Sequence, residues 1–63
     1  MLQNERHERI LSKLKIHNTV KVADLAQELG ISESTIRRDI TELDHAGQLK
    51  KVVGGAVAVN GAM

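Results

Sequence analysis

Ile31-Ser32-Glu33-Ser34-Thr35-Ile36-Arg37-Arg38-Asp39-Ile40 follows Gly30 and reads as the opening of a helix. Ser32 is the expected N-cap, because its hydroxyl can accept a free N–H of the first turn. Glu33 then sets negative charge at the positive end of the helix dipole. The run is expected to continue to Ala46 and stop at Gly47. Projected at 100° per residue, Ile36, Ile40 and Leu43 fall on one stripe and Ser34, Arg38, Thr41 and His45 on the opposite face. That outer face is short, hydroxylated and cationic near its start, which suits a helix lying in a DNA major groove. It also suits an ordinary solvated surface. The helix is net acidic, with Glu33, Asp39, Glu42 and Asp44 against Arg37 and Arg38. Glu33 and Asp44 project beside Arg37 on one flank and Asp39 on the other, while Glu42 comes after the first two turns. The groove-facing turns are therefore not the acidic ones.

Upstream, Val22, Leu25, Ala26 and Leu29 stand at i, i+3, i+4 and i+7, an amphipathic stripe ended by Gly30. Ile31 can plug the core between the two helices. Helix, short glycine turn, helix is the helix-turn-helix arrangement. Further back, Asn4 to about Lys15 reads as the first helix, with Asn4 as cap and Glu5 in the first turn. Ile10, Leu11 and Leu14 form its stripe. His7 projects onto that stripe and reads as a half-buried histidine rather than a metal ligand, since no second ligand stands at i+3 or i+4. His17 and His45 likewise lack metal spacing. His17-Asn18 marks a turn, and Thr19-Val20-Lys21 is a short β-prone run.

Downstream of Gly47 the period changes. Gln48 to Val53 is a strand candidate, Gly54-Gly55 a two-residue hairpin turn of the primed kind with positive φ, and Ala56 to Val59 the returning strand. The glycine pair lacks the Lys-Ser/Thr and helix of a phosphate loop. Lys50 and Lys51 precede the turn. In a regular strand they point to opposite faces, so at most one meets DNA. Helix, short strand, helix, helix and hairpin is the order of a winged helix. The expected fold is thus mainly α with a small β-hairpin (α+β): a winged helix-turn-helix of three helices and a two- to three-stranded wing sheet. Its expected extent is 3–58, with the helix-turn-helix at about 22–46 and the wing at about 49–59. Residues 60–63 are expected to be a frayed tail or the start of a linker.

The 63 residues suffice for one small domain. Without Phe, Trp or Tyr, the core rests on Leu, Ile and Val, and the lack of aromatic rings argues against modules that stack bases on them. The absence of Cys rules out disulfides and thiolate metal sites. No apolar run reaches membrane-spanning length and no signal-peptide pattern is present, so a soluble cytoplasmic protein is expected. The net charge of +1 carries no nucleic-acid signal, so the placement of charge must carry it.

The chain resembles the N-terminal DNA-binding domain of the DeoR family of bacterial transcriptional regulators. The resemblance runs from about Glu5 to Ala56. It is carried by Glu5-Arg6, Ile10-Leu11, Val22-Ala23-Asp24-Leu25-Ala26, Gly30-Ile31-Ser32, Thr35-Ile36-Arg37-Arg38-Asp39-Ile40, Leu43, Gly47, Leu49 and Gly54-Gly55-Ala56. It implies a repressor of a sugar or nucleoside catabolism operon, with Thr35, Arg37 and Arg38 on the recognition helix. It also implies a further C-terminal domain that binds a phosphorylated sugar and assembles homo-oligomers. No cofactor is expected in the domain at hand, and in isolation it is expected to be a monomer. The sequence departs from the family at Lys51, where Arg is usual, at Val53, where His is usual, and at Ile40, where Leu is usual. Lys cannot make the bidentate fork of Arg.

Sequence-specific binding to double-stranded DNA is therefore expected. Arg38 and Ser34, then Thr41, are expected at base edges. Arg37, Thr35 and one of Lys50 or Lys51 are expected at phosphates. Asp39 is expected to pair with a basic residue of the first helix. A protein-interaction winged helix that never touches DNA also fits the acidic third helix. An enzyme does not, because no nucleophile–base or carboxylate pair is evident.

Overall fold

The computed structural model describes residues 1–59. In chain order the elements are α1 (Gln3–His17), β1 (Thr19–Lys21), α2 (Val22–Leu29), α3 (Glu33–His45), β2 (Lys50–Val52) and β3 (Gly55–Val57). Three helices and a three-stranded sheet make the expected winged helix-turn-helix. The tail expected at 60–63 lies outside the described residues.

The first helix is longer at both ends than its spacing suggested. Its cap is Leu2, not Asn4. The Glu5 carboxylate reaches back and accepts the Leu2 N–H at 3.0 Å, so an unpaired donor is satisfied from the third helical position. Asn4 is thereby drawn inside the first turn. At the other end the helix runs on to His17 and closes at Asn18, which takes φ 66° and returns its N–H to the Leu14 carbonyl at 2.8 Å. Asn is one of the few side-chain-bearing residues that adopts this left-handed conformation readily.

Between α2 and α3 the turn closes as the glycine predicted. Gly30 adopts φ 68°, and the Ile31 N–H returns to the Ala26 carbonyl at 3.0 Å. Ile31 packs half-buried against the core. Ser32 caps α3, its Oγ accepting the Thr35 N–H at 3.3 Å. The helix closes at Ala46 and Gly47, the latter at φ 76°.

The strand order is β1-β3-β2, all antiparallel. β1 supplies the third strand that a lone hairpin needs. The hairpin turn sits one residue earlier than expected. Val52 pairs with Gly55, so the two turn residues are Val53 and Gly54, and Gly55 already belongs to β3. Of these two only Gly54, at φ 79°, is left-handed. The turn is therefore not of the primed kind, which needs positive φ at the first central residue. Gly55 is required for another reason: a Cβ there would stand 2.0 Å from the Val20 carbonyl oxygen of β1. At this point β3 runs too close to its neighbour β1 for any side chain.

One core unites these elements. Ile10 and Leu14 of α1, Leu25 of α2, and Ile36, Ile40 and Leu43 of α3 are buried together with Leu49 and Ala56 from the wing. The wing is thus part of the core and not an appendage. The Val22 N–H, at the head of α2, donates to the Gly54 carbonyl at 2.9 Å and ties the turn to the helix-turn-helix.

Candidate nucleic-acid interface

The inward stripe of α3 fixes which residues face out. Asp39, expected to pair with α1, is only 1% exposed. Arg6 Nε donates to its Oδ2 at 2.6 Å and Arg6 Nη2 to its Oδ1 at 3.2 Å. The hydrogen bond to Asp39 raises the Arg6 pKa further above its already high ordinary value, against the opposing effect of lost hydration. The same junction holds His7, whose Nε2 lies 3.3 Å from Asp39 Oδ1 and 3.6 Å from Glu42 Oε1, and Gln3, whose amide donates to Glu42.

His7, Asp39 and Glu42 bring three ligand-type atoms within 4.8 Å of one another. A metal there would have to share Asp39 with the Arg6 guanidinium. Spacing along α1 gave no hint of this cluster, because the two carboxylates come from another helix.

With Asp39 pinned inward, Ser34 and Arg38 are exposed on the outer face of α3. Arg37, on the flank, is held by Glu33 one turn earlier, Nη2 to Oε1 at 2.9 Å. Thr35 is half-buried and accepts the Ser32 hydroxyl at 3.0 Å, so its side chain serves the start of the helix. Thr41 donates its hydroxyl to the Arg37 carbonyl at 3.0 Å.

Lys51 is the lysine that β2 turns toward α3. Its Nζ donates to Thr41 Oγ1 at 3.1 Å, while exposed Lys50 occupies the alternate position of the strand. The Lys51 backbone N–H is accepted by Asp44 Oδ2 at 2.8 Å, a contact that sequence reasoning missed. A gap of about 50 Å³ between α3 and the wing is bordered by Arg37, Ile40, Lys51 and Gly54, so wing and helix form one continuous surface. Another hollow, of about 380 Å³, is walled by Lys13, Leu25 and Glu28 on the α1–α2 side and touches no residue of α3.

This surface can offer bare guanidinium and hydroxyl groups along a helix one turn apart, with an ammonium group beside them. Among the described residues no helix is long and apolar enough to cross a membrane.

Comparison with known proteins agrees with this geometry. The family described as the DeoR-like helix-turn-helix domain matches residues 6–61. The chain is 43% identical over 60 residues to the "Uncharacterized HTH-type transcriptional regulator FruR" of Bacillus subtilis, covering 95% of the chain and 24% of that protein. It is 44% identical over 59 residues to the HTH-type transcriptional regulator UlaR of Salmonella arizonae and to that of Salmonella newport, covering 94% of the chain and 24% of each relative. The chain thus spans about a quarter of the length of these relatives. No solved structure matches it. With its fold, its α3–wing surface and these relatives in agreement, the chain belongs to the DeoR-like helix-turn-helix domain family.

Proposed function

We propose that this domain reads double-stranded operator DNA for a bacterial regulator, a repressor of a sugar or nucleoside catabolism operon. The observation that carries this is the outer face of α3. Ser34 and Arg38 are exposed along it one turn apart, and Lys51 of the wing is seated on Thr41 beside them. Base readout falls to Arg38, Ser34 and Thr41, with phosphate contact by Arg37 and Lys51. Thr35 accepts the Ser32 hydroxyl, which leaves its own O–H free to donate, so it joins Arg37 and Lys51 as a phosphate contact. In the full-length protein a phosphorylated sugar would act through a separate domain that also links protomers. The isolated domain is then a monomer that binds a half-site, because linking two half-sites is what raises affinity.

Selection of bound sequences from a random duplex pool, followed by salt titration of the winner, tests this. One enriched half-site is expected, with log K falling about 0.9 per phosphate contact for each unit of log salt. No enrichment, together with salt-independent association, would point instead to a protein-interaction module.

A further inference from the structure

We infer that Asp44, in the last turn of α3, is a positioning residue for the wing's DNA contact; this rests on the DNA-binding reading above. β2 is an edge strand, paired on one side only by β3. An edge strand leaves N–H groups of its outer side without a ladder partner. Half-buried Asp44 takes one of them, its Oδ2 accepting the Lys51 N–H at 2.8 Å. Three residues earlier on α3, Thr41 accepts the Lys51 ammonium at 3.1 Å and donates its own hydroxyl to the Arg37 carbonyl at 3.0 Å. The wing strand is therefore held to the recognition helix at two points, one through its backbone and one through a side chain.

An acidic side chain beside phosphate-binding groups repels DNA, so its presence needs a compensating role. Fixing the register of β2 against α3 supplies one. The lysine stem then leaves the strand at a set place, and the cost of ordering it on binding is already met in the free protein. An ammonium group has three donors, and Thr41 uses one of them. The others remain for a backbone phosphate at the border of the groove that α3 occupies. Asp44, Lys51 and Thr41 act as a unit in which Asp44 never touches DNA.

Charge and positioning predict opposite signs, which makes the test sharp. By charge alone, Asp44→Ala removes repulsion and tightens binding. By positioning, Asp44→Ala weakens binding to the selected duplex on the order of tenfold, and the salt slope becomes shallower by about one as the Lys51 contact is lost. Asp44→Asn keeps an acceptor for the Lys51 N–H and loses the charge, so it should bind at least as tightly as the parent domain.

Amide hydrogen exchange, read without DNA, reports the positioning separately. The Lys51 amide should exchange at least about tenfold faster in Asp44→Ala than in Asp44→Asn, with core amides such as Ile40 unchanged, which also shows that the variant is folded. Tighter binding by Asp44→Ala, or equal Lys51 exchange in the two variants, would overturn the inference. If the parent domain binds no duplex at all, it is the DNA-binding reading that fails, and the exchange data alone then decide whether Asp44 holds the wing.

Discussion

Arg6 and Asp39 form a two-toothed ion pair across the α1–α3 junction, and Asp39 is the one buried charged side chain among the described residues. The pair lies on the same inward side of α3 as Ile36, Ile40 and Leu43. Asp39 is drawn toward α1, and Arg38, the preceding residue and so about 100° round the helix, is left facing solvent.

Breaking this pair from either side should have unequal effects. Arg6→Met strands a buried carboxylate with only His7 beside it, and the melting midpoint should fall by about 10 °C or more. Asp39→Leu strands a guanidinium that is 15% exposed and can shift toward water, so its loss should be smaller. The double variant Arg6→Met/Asp39→Leu should recover most of the loss, since an apolar pair of similar volume can replace a buried ion pair. Thermal melts followed by circular dichroism measure all three. Strictly additive losses would show that the two residues do not act on one another.

Gly54 and Gly55 should fail for different reasons. Gly54 has φ 79° with open space around it, so Gly54→Ala should cost about 1–2 kcal/mol from backbone strain alone, and Gly54→Asn less. Gly55 has no positive φ, but even a methyl group there collides with the Val20 backbone. Gly55→Ala should therefore part β1 from β3 and cost about 1–3 kcal/mol as overpacking does. Because Val20 and Ala56 are core residues, the melting midpoint of the whole domain should drop while helical signal persists at room temperature. Chemical denaturation of the two alanine variants against the parent gives both numbers. A Gly55→Ala domain as stable as the parent would refute the close-approach account.

What the sequence made legible follows from the range of the interactions involved. Helical period, the caps at Ser32 and Gly30, and the change of period after Gly47 are local signals, and the elements they mark are present. The turn falls one residue before the position that the glycine pair suggests, because two adjacent glycines look alike in sequence. The close approach of β3 to β1 shows that Gly55 is needed for space, and the backbone of the turn shows that Gly54 is needed for its φ. Leu2 as the cap of α1 was illegible because the group that serves it belongs to Glu5. At the candidate interface, projection of one helix could place Ser34, Arg38 and Asp39. It could not place the contacts of Asp44 and Thr41 with Lys51, or of His7 with Glu42, which join separate elements.

Ser32 is a local device, and its removal should behave as one. Its hydroxyl accepts the Thr35 N–H and donates to the Thr35 hydroxyl. Ser32→Ala should cost about 1 kcal/mol, and Ser32→Asp, which restores an acceptor and adds favourable charge at the helix start, should recover it. Urea titration separates these variants. Equal losses for both would mean that the hydroxyl pair with Thr35, and not the backbone cap, is what matters.

The two arginines of α3 should separate readout from positioning. Arg38 is exposed one turn after Ser34, where its planar fork can meet the two acceptors of a guanine in the major groove. Arg37 lies on the flank, bridged to Glu33 at 2.9 Å, and meets the groove wall instead. That exposed bridge is weak and should yield to a phosphate. Arg38→Ala should then cost about 1–3 kcal/mol on the preferred site and relax the preference at one base position. Arg38→Lys should restore charge but not the fork, so the preference should stay relaxed. Arg37→Ala should weaken every sequence alike and make the salt slope shallower by about one. Titration of each variant against a panel of single-base site variants at two salt concentrations resolves these outcomes. If Arg38→Ala also weakens all sequences uniformly, Arg38 is a phosphate clamp, and base discrimination must come from Ser34, Thr41 or the wing.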